Sequence, residues 1–383
     1  MQLGVGTGPL RGLKVVELAG IGPGPHACMI LADLGADVIR IDRPGGQLLT
    51  GGSHDLLNRG RPSVALDLKH PDAVATVLEL VESADVFVEG LRPGTTERLG
   101  LGPGECQARN PRLVYGRMTG WGQEGPLART AGHDLGYIAI TGALFGLGQD
   151  RHRPHFPTNL VGDFGGGSTY LVIGILAALL EARVSGKGQV VDAAIVDGTA
   201  HLNAMTAAFL AGGLLRERRA SNLLDGGTPY YDLYETADGR HLAVGALEPQ
   251  FYDALVAGLG IAESAPDRDD PAHHDELRRL ITAAVRSRTQ AEWVEVFDGT
   301  DACVAPVLPM TEAFHHPHLR ARGTYVERDG ATEPAPAPRF SRTAPSLTTP
   351  PPARPGQDTS EALTAWGIED VERLVSSGAA VQT

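Results

Sequence analysis

The sequence predicts an α/β protein: a large lobe with a parallel β-sheet flanked by helices, joined to a smaller α+β lobe. Three observations carry this expectation. Short β-branched runs alternate with helical patterns over the first half of the chain, the pattern of a parallel sheet covered on both faces. At 383 residues the chain exceeds the size at which one hydrophobic core keeps growing. From residue 225 the style changes to a hairpin followed by helices.

Residues 13–42, LKVVELAGIGPGPHACMILADLGADVIRID, read as one βαβ unit: an apolar run, a Gly/Pro turn, a helical pattern and a second apolar run. The alternation continues with VALDL (64–68), a helix from Pro71 to Ser83, DVFVEG (85–90), a helical segment over 95–108 and RLVYGRMTG (112–120). The apolar GGGSTYLVIGILAALLEAR after Asp163 predicts a core helix, and QVVDAAIVDGTAHLNAMTAAFL a strand and then a helix. In the second lobe, YYDLYETADGRHLAVGAL predicts a hairpin turning at Ala237-Asp238-Gly239, with helices near 249–259, 275–286 and 289–298. The proline-rich stretch 334–356 is expected to run extended along the surface, with helices after Ser360 returning to the first lobe. The expected borders are therefore 1–224, 225–330 and 331–383.

Composition narrows the function. With 42% hydrophobic and 21% charged residues the chain is an ordinary globular one, and a net charge of −13 excludes a general nucleic-acid or anionic-membrane surface. An anionic ligand must then find a local basic pocket. Cys28, Cys106 and Cys303 show neither disulfide-framework nor zinc spacing. A reducing, cytoplasmic setting is expected. The N-terminal MQLGVGTGPLRG lacks the pattern of a secretory signal, and the apolar stretch from Tyr170 to Leu180 is too short to span a bilayer, so no membrane span is expected.

The first turn, Gly20-Ile21-Gly22-Pro23-Gly24-Pro25-His26, invites a dinucleotide-binding reading, but Pro25 stands where the fingerprint requires its third glycine. Proline there suits a first helical residue, whose missing N–H costs nothing. Arginine recurs near strand ends, at Arg43, Arg92 and Arg117, with Arg98 nearby. In an open parallel sheet such guanidiniums can converge on a phosphate-rich ligand; in a chain with 30 arginines they are equally explained as scattered surface charge. His133 lies in the glycine-flanked GHDLGY loop, and its reference pKa suits proton transfer, although a lone loop histidine is more often structural. Asp163, in NLVGDFGGGS, reads as a helix N-cap beside glycines that permit close backbone approach. Glu248, before Pro249, reads as a charge at a helix N-terminus. No GxSxG elbow, Walker loop or HExxH motif is present.

Taken together, LKVVELAGIGPGPHACMILADLGADVIRIDRPGG, VFVEGLRPGTTERLGLGP, RMTGWGQEGPLARTAGHDLGY, LVGDFGGGS, GKGQVVDAAIVDG and GALEPQFY resemble the 2-methylacyl-CoA racemases, a branch of the family III CoA-transferases, over roughly residues 8–376. The resemblance implies a Rossmann-like large lobe, an interlocked homodimer with the active site at its interface, and His133, Asp163 and Glu248 as catalytic residues. It places coenzyme A contacts on Arg43, Leu66, Asp67, Leu68, Lys69, Gly90, Leu91, Arg92, Arg98, Gly132, Asp134, Leu135, Gly136 and Tyr137. Two departures touch the adenine end: the Gly-rich segment after Arg43, and Leu66 at a position that is small in some members. The implied activity is epimerisation at C2 of a 2-methylacyl-CoA ester, by proton removal from one face and return on the other, with no cofactor beyond the coenzyme A that the substrate carries and no metal. Two alternatives stand beside it: a family III CoA transferase with Asp134 as nucleophile, and a catalytically silent acyl-CoA-binding protein. A nicotinamide oxidoreductase falls with the failed glycine fingerprint.

Overall fold

The computed structural model describes residues 2–47, 52–347 and 349–383, so Leu48, Leu49, Thr50 and Gly51 of the Gly-rich departure lie outside the described residues. The chain divides into two compact units: residues 1–141, 157–203 and 322–383 form the first, and residues 142–156 and 204–321 the second.

In the first unit, six parallel strands, β1 (Lys14–Leu18), β2 (Asp37–Asp42), β3 (Ser63–Leu66), β4 (Val86–Glu89), β5 (Val114–Thr119) and β6 (Val190–Ala194), run in the order 3-2-1-4-5-6. The strand Ala380–Val381 adds an antiparallel edge beside β3, with Ala380 opposite Leu66. The register sets Val16 against Ile39 and Phe87. Residues of β1 to β4 are almost wholly buried because helices cover both faces. On one face Val77, Leu80 and Val81 of the helix Pro71–Ser83 pack with Leu18, Ile41 and Trp366; on the other, Leu31 and Cys28 of the helix Pro23–Asp33 pack with Val15, Val88 and Ile175.

The sheet's interior charges are paired. Arg61 meets Glu17 at 2.7 Å, and Arg59 meets Asp33 at 2.6 Å and Glu333 at 3.0 Å. The last pair carries the hairpin Tyr325–Arg328 with Ala331–Pro334 into the first unit, although sequence placed residues 325–330 in the smaller lobe. Conversely, Arg219 donates to the carbonyls of Phe145, Asp150 and Arg151 at 2.8, 2.8 and 3.1 Å, which draws residues 142–156 into the second unit. The borders expected after 224 and 330 fall instead after 203 and 321, where long-range arginine contacts outweigh local pattern. Among the described residues, the run after residue 334 forms no helix or strand until Thr359, yet it is not purely superficial: Pro351 and Pro352 are buried, and Asp358 accepts from the Ser63 N–H at 2.9 Å.

Asp163 precedes no helix start. Leu160–Ser168 is a π-helical segment that runs directly into the helix Thr169–Ser185. Only one face of that helix is core, through Leu171, Val172, Ile175, Ala178 and Ala182; Ile173, Leu180 and Val184 are exposed, Val184 at 90%. The continuous 26 residues Leu160–Ser185 are, among the described residues, long and apolar enough by length and composition to cross a bilayer, with 39% of the most apolar window buried in the chain. Sequence counted only its central run.

The second unit is an α+β layer built on a three-stranded antiparallel sheet, Tyr231–Glu235, His241–Gly245 and Val304–Pro306. The expected hairpin and the helices Pro249–Gly258, His274–Val285 and Gln290–Phe297 are all present, closing on Tyr234, Leu255, Ile281 and Trp293.

Candidate active site

Where strand order reverses between β1 and β4, an open parallel sheet leaves a crevice beyond the carboxyl ends of its strands. A cavity of about 560 Å³ fills that position in the first unit. Its walls come from the turns after β1 (Gly20 to Pro25), β4 (Gly90 to Pro93) and β5 (Gly120, Trp121), closed by His133, Tyr137 and Asp163.

His133 is the residue before the helix Asp134–Ile140, with extended backbone and an exposed side chain that caps nothing. Asp163 is half-buried in the first turn of the π-helix. Its N–H donates to Asp134 Oδ1 at 2.7 Å, and its Oδ2 accepts from Asn159 Nδ2 at 3.2 Å. The N-cap reading is therefore corrected: Asp163 binds through its own N–H and leaves its carboxylate to the cavity. Burial pushes the Asp163 carboxyl above its ordinary range and the Asp134 charge adds to this, while the Asn159 bond and His133 oppose it. A carboxyl so displaced is suited to exchange a proton with a weak carbon acid.

Glycines let these parts close up. A Cβ on Gly22, whose φ is +73°, would stand 3.4 Å from Asp163 Oδ2, and one on Gly162 would fall 2.3 Å from Asp134 Oδ1. On Gly120 a Cβ would enter the Tyr137 ring, which itself packs edge-on to Trp121 at 4.6 Å. Burial and the Asp163 charge raise the Tyr137 phenol, keeping it protonated. The helix Pro23–Asp33 starts at Pro23 rather than Pro25, so both prolines lie in the first turn, where an N–H is not needed.

Of the residues singled out from sequence, the structure brings His133, Asp163, Gly90, Leu91, Arg92, Gly132 and Tyr137 to this one cavity. Asp134 lies behind it, 6% exposed, its carboxylate turned to the π-helix backbone. Leu135 and Gly136 occupy the same helical turn. Arg43 follows the last residue of β2, and Asp67, Leu68 and Lys69 follow β3, all on the carboxyl edge of the sheet that carries the cavity. Leu66 is corrected: its side chain is 1% exposed within the core, so it offers no surface to a ligand. Arg98 is exposed and bonds Thr95 Oγ1 at 3.0 Å. Arg117 points elsewhere, with Nε to Glu89 at 2.9 Å and Nη1 to Glu97 at 2.9 Å. Glu89 in turn takes the Leu91 N–H at 2.7 Å, so Arg117 braces the turn that presents Arg92. In the second unit, Glu248 is the residue before the helix Pro249–Gly258; it is exposed and makes no side-chain cap bond.

Sequence reading missed Asn159. Asn159 stands four residues before Asp163, the spacing that faces side chains on one side of a helix, and that interval was the available signal. The Asp329-Gly330 turn of the unforeseen hairpin was equally readable.

The family model for "CoA-transferase family III" matches residues 10–359. The chain is 43% identical to mouse alpha-methylacyl-CoA racemase over 369 residues, covering 95% of each chain. It is 42% identical to the human alpha-methylacyl-CoA racemase over 375 residues, covering 96% of each. A crystal structure of a CaiB/BaiF family protein from Brucella suis superposes with a TM-score of 0.80 at 26% identity, covering 94% of this chain and all of that one.

Proposed function

This chain belongs to CoA-transferase family III, and from that premise we propose that it interconverts the R and S forms of 2-methylacyl-CoA thioesters at C2. The observation that carries the reading is one cavity presenting both a histidine, His133, and a half-buried carboxyl, Asp163, that burial pushes above its ordinary range. A hydrogen beside a thioester carbonyl is weakly acidic, so its removal requires a positioned base and a stabilised enolate oxygen. His133 serves one face and Asp163 the other, one taking the proton as the other gives one. In the first turn of the helix Asp134–Ile140 the N–H groups of Gly136 and Tyr137 go to the His133 carbonyl, which leaves those of Asp134 and Leu135, ahead of the first such bond, for the enolate oxygen in this reading. Arg92 at the rim, with Arg43, Lys69 and Arg98 along the sheet edge, suits the phosphates of coenzyme A, which the substrate itself brings; no further cofactor enters the reading. The Asp134 carboxylate is 6% exposed, with Oδ1 held by the Asp163 N–H, and it is not part of the cavity wall, which argues against the transferase alternative, whose nucleophile must be open to the acyl-CoA.

The working form is a homodimer in this reading. Exposed Ile173, Leu180 and Val184 on one helix call for a cover, and Glu248 of a partner would orient His133. Free thiols at all three cysteines agree with a cytoplasmic setting.

The test is proton exchange. Each epimer of a 2-methylacyl-CoA, incubated separately in D2O, should incorporate deuterium at C2 and invert. No exchange from either epimer, or a covalent acyl adduct on Asp134, would sink the proposal.

A further inference from the structure

We propose that His26 is a positioning residue for Asp163: through the Ser168 hydroxyl its imidazole fixes the π-helical turn that carries the carboxylate. The inference rests on the epimerase reading and adds a residue to it.

The π-helix is rare and gives up the better packing of an α-helix, so a nine-residue run needs outside support. Much of that support is steric. Gly166 and Gly198 let the segment lie backbone against backbone on the helix Ile195–Leu202, since a Cβ on Gly198 would stand 1.8 Å from the Gly166 oxygen. Steric contact sets the distance between the two segments. It does not choose where along the π turn the Asp163 carboxylate points.

Polar ties do that: Asn159 holds Oδ2 itself at 3.2 Å, and one further tie lies on each side of Asp163 along the chain. On the N-terminal side, Asp134 takes the Asp163 N–H. On the C-terminal side, Ser168 Oγ donates to the carbonyl of Phe164, the residue after Asp163, at 3.0 Å, and meets His26 Nδ1 at 2.6 Å. A hydroxyl has one proton. With that proton on the Phe164 carbonyl, Ser168 can only accept from His26, so the imidazole carries its proton on Nδ1. The ring also lies over Phe164, centroids 4.4 Å apart. His26 therefore bears on both the carbonyl, which Ser168 shares with Thr169 Oγ1 at 2.9 Å, and the side chain of Asp163's neighbour.

The surroundings keep this tie neutral and intact. Burial lowers the His26 pKa to about 4, and the Arg59 and Arg61 charges push the same way. The imidazole is thus uncharged near neutrality, with the one proton that the tie requires. Ser168 is fully buried, so water does not compete for its hydroxyl. His26 also sits in the first turns of the helix Pro23–Asp33, whose preceding residue Gly22 abuts Asp163. One ring joins the two elements that shape the carboxylate's surroundings.

The test uses three variants and one reference. Asp163→Asn identifies the epimer whose C2 hydrogen Asp163 removes, because exchange from that epimer alone is lost. His26→Phe keeps a ring on Phe164 and removes the donor; a misplacement of about 1 Å corresponds to roughly a hundredfold loss of rate. His26→Phe should lower kcat for exchange from that same epimer by at least about tenfold, leaving its KM and exchange from the opposite epimer within about threefold. His26→Asn places an amide N–H where Nδ1 stood and should restore most of the loss. Ser168→Ala should reproduce the one-sided defect, and it carries the test alone if His26→Phe does not fold. Equal losses from both epimers, wild-type exchange in His26→Phe and Ser168→Ala, or failure of Asn to restore would each overturn the inference. Absence of exchange from either epimer in the unaltered protein would instead overturn the parent reading, and this one with it.

Discussion

Replacing Gly162 by alanine isolates the contact between the two turns of the site. The added Cβ would stand 2.3 Å from Asp134 Oδ1 and 2.9 Å from both Asp134 Cγ and Ile138 Cγ2, whereas comfortable contacts to carbon lie at roughly 3.5–4.0 Å. The overlap with Oδ1 therefore exceeds about 1 Å, and no rotamer of alanine relieves it. Either the helix Asp134–Ile140 backs away, or Asp134 swings off and abandons the 2.7 Å bond to the Asp163 N–H. The first course costs about 1–3 kcal/mol as overpacking, and the second about 1.5–3 kcal/mol as a lost bond to a charged group. Gly162→Ala should therefore lose about 2–4 kcal/mol of stability in urea unfolding, and C2 exchange should fall about a hundredfold as Asp163 moves. Adding Asp134→Ala removes the worst clash and leaves that with Ile138. The double variant should then be more stable than the sum of the singles by at least about 1 kcal/mol. Additive losses, or a Gly162→Ala protein as stable and active as the original, would refute the assigned contact.

Asp163→Asn should abolish exchange from one epimer yet unfold at a higher temperature near neutrality. The folded carboxyl has a raised pKa, so its burial is tolerated as the acid and costs stability as pH rises through that pKa. The gain in melting temperature should vanish in acid. The same shift means that exchange dependent on Asp163 declines, as pH falls, at a higher pH than an ordinary carboxylate would allow. Arg117→Met should leave Glu89, 1% exposed, without its cation and lower stability by about 3–5 kcal/mol in chemical denaturation. Adding Glu89→Gln should recover part of this, while KM for the thioester rises because the Leu91 turn loses its brace. Gly198→Ala should fail to accumulate as folded protein or lose more than about 3 kcal/mol, since its Cβ meets the Gly166 carbonyl oxygen rather than a movable side chain; a melting temperature within about 2 °C of the original contradicts that crossing.

The legible parts of the fold were those written in short-range pattern. The helix from Pro71 to Ser83 matches its observed bounds because its periodicity and opening proline are local facts. The strand order, the edge strand Ala380–Val381 and the membership of residues 142–156 depend on partners far along the chain, and no window of sequence contains them. At the site, His133 and Asp163 were found through resemblance, since each alone read as structural. Arg117 misled because a guanidinium at a strand end looks the same whether it faces a ligand or a buried Glu89. The π-helix was hidden by its glycines, which read as freedom for the backbone and proved to be space for Asp134, Thr199 and Ile195.

The glycine fingerprint that failed in the sequence now has a structural explanation. The 3-2-1-4-5-6 order is that of a dinucleotide-binding sheet, in which the first turn offers bare N–H groups to a pyrophosphate. Here that turn is otherwise committed. Gly22 lies against the Asp163 carboxylate, and the carbonyl of Pro25, at the missing glycine, accepts from Arg61 at 2.9 Å while Arg61 pairs with buried Glu17. A pyrophosphate placed there would meet a carboxylate. On the proposed reading, the crevice takes a neutral carbon acid between two proton-transfer groups, and a phosphate-bearing ligand lies outward along the sheet edge. Arg43 after β2, Lys69 after β3 and Arg92 after β4 stand along that edge. In that reading, loss of the fingerprint and the arginines at strand ends are two results of placing the reacting centre at the switch point.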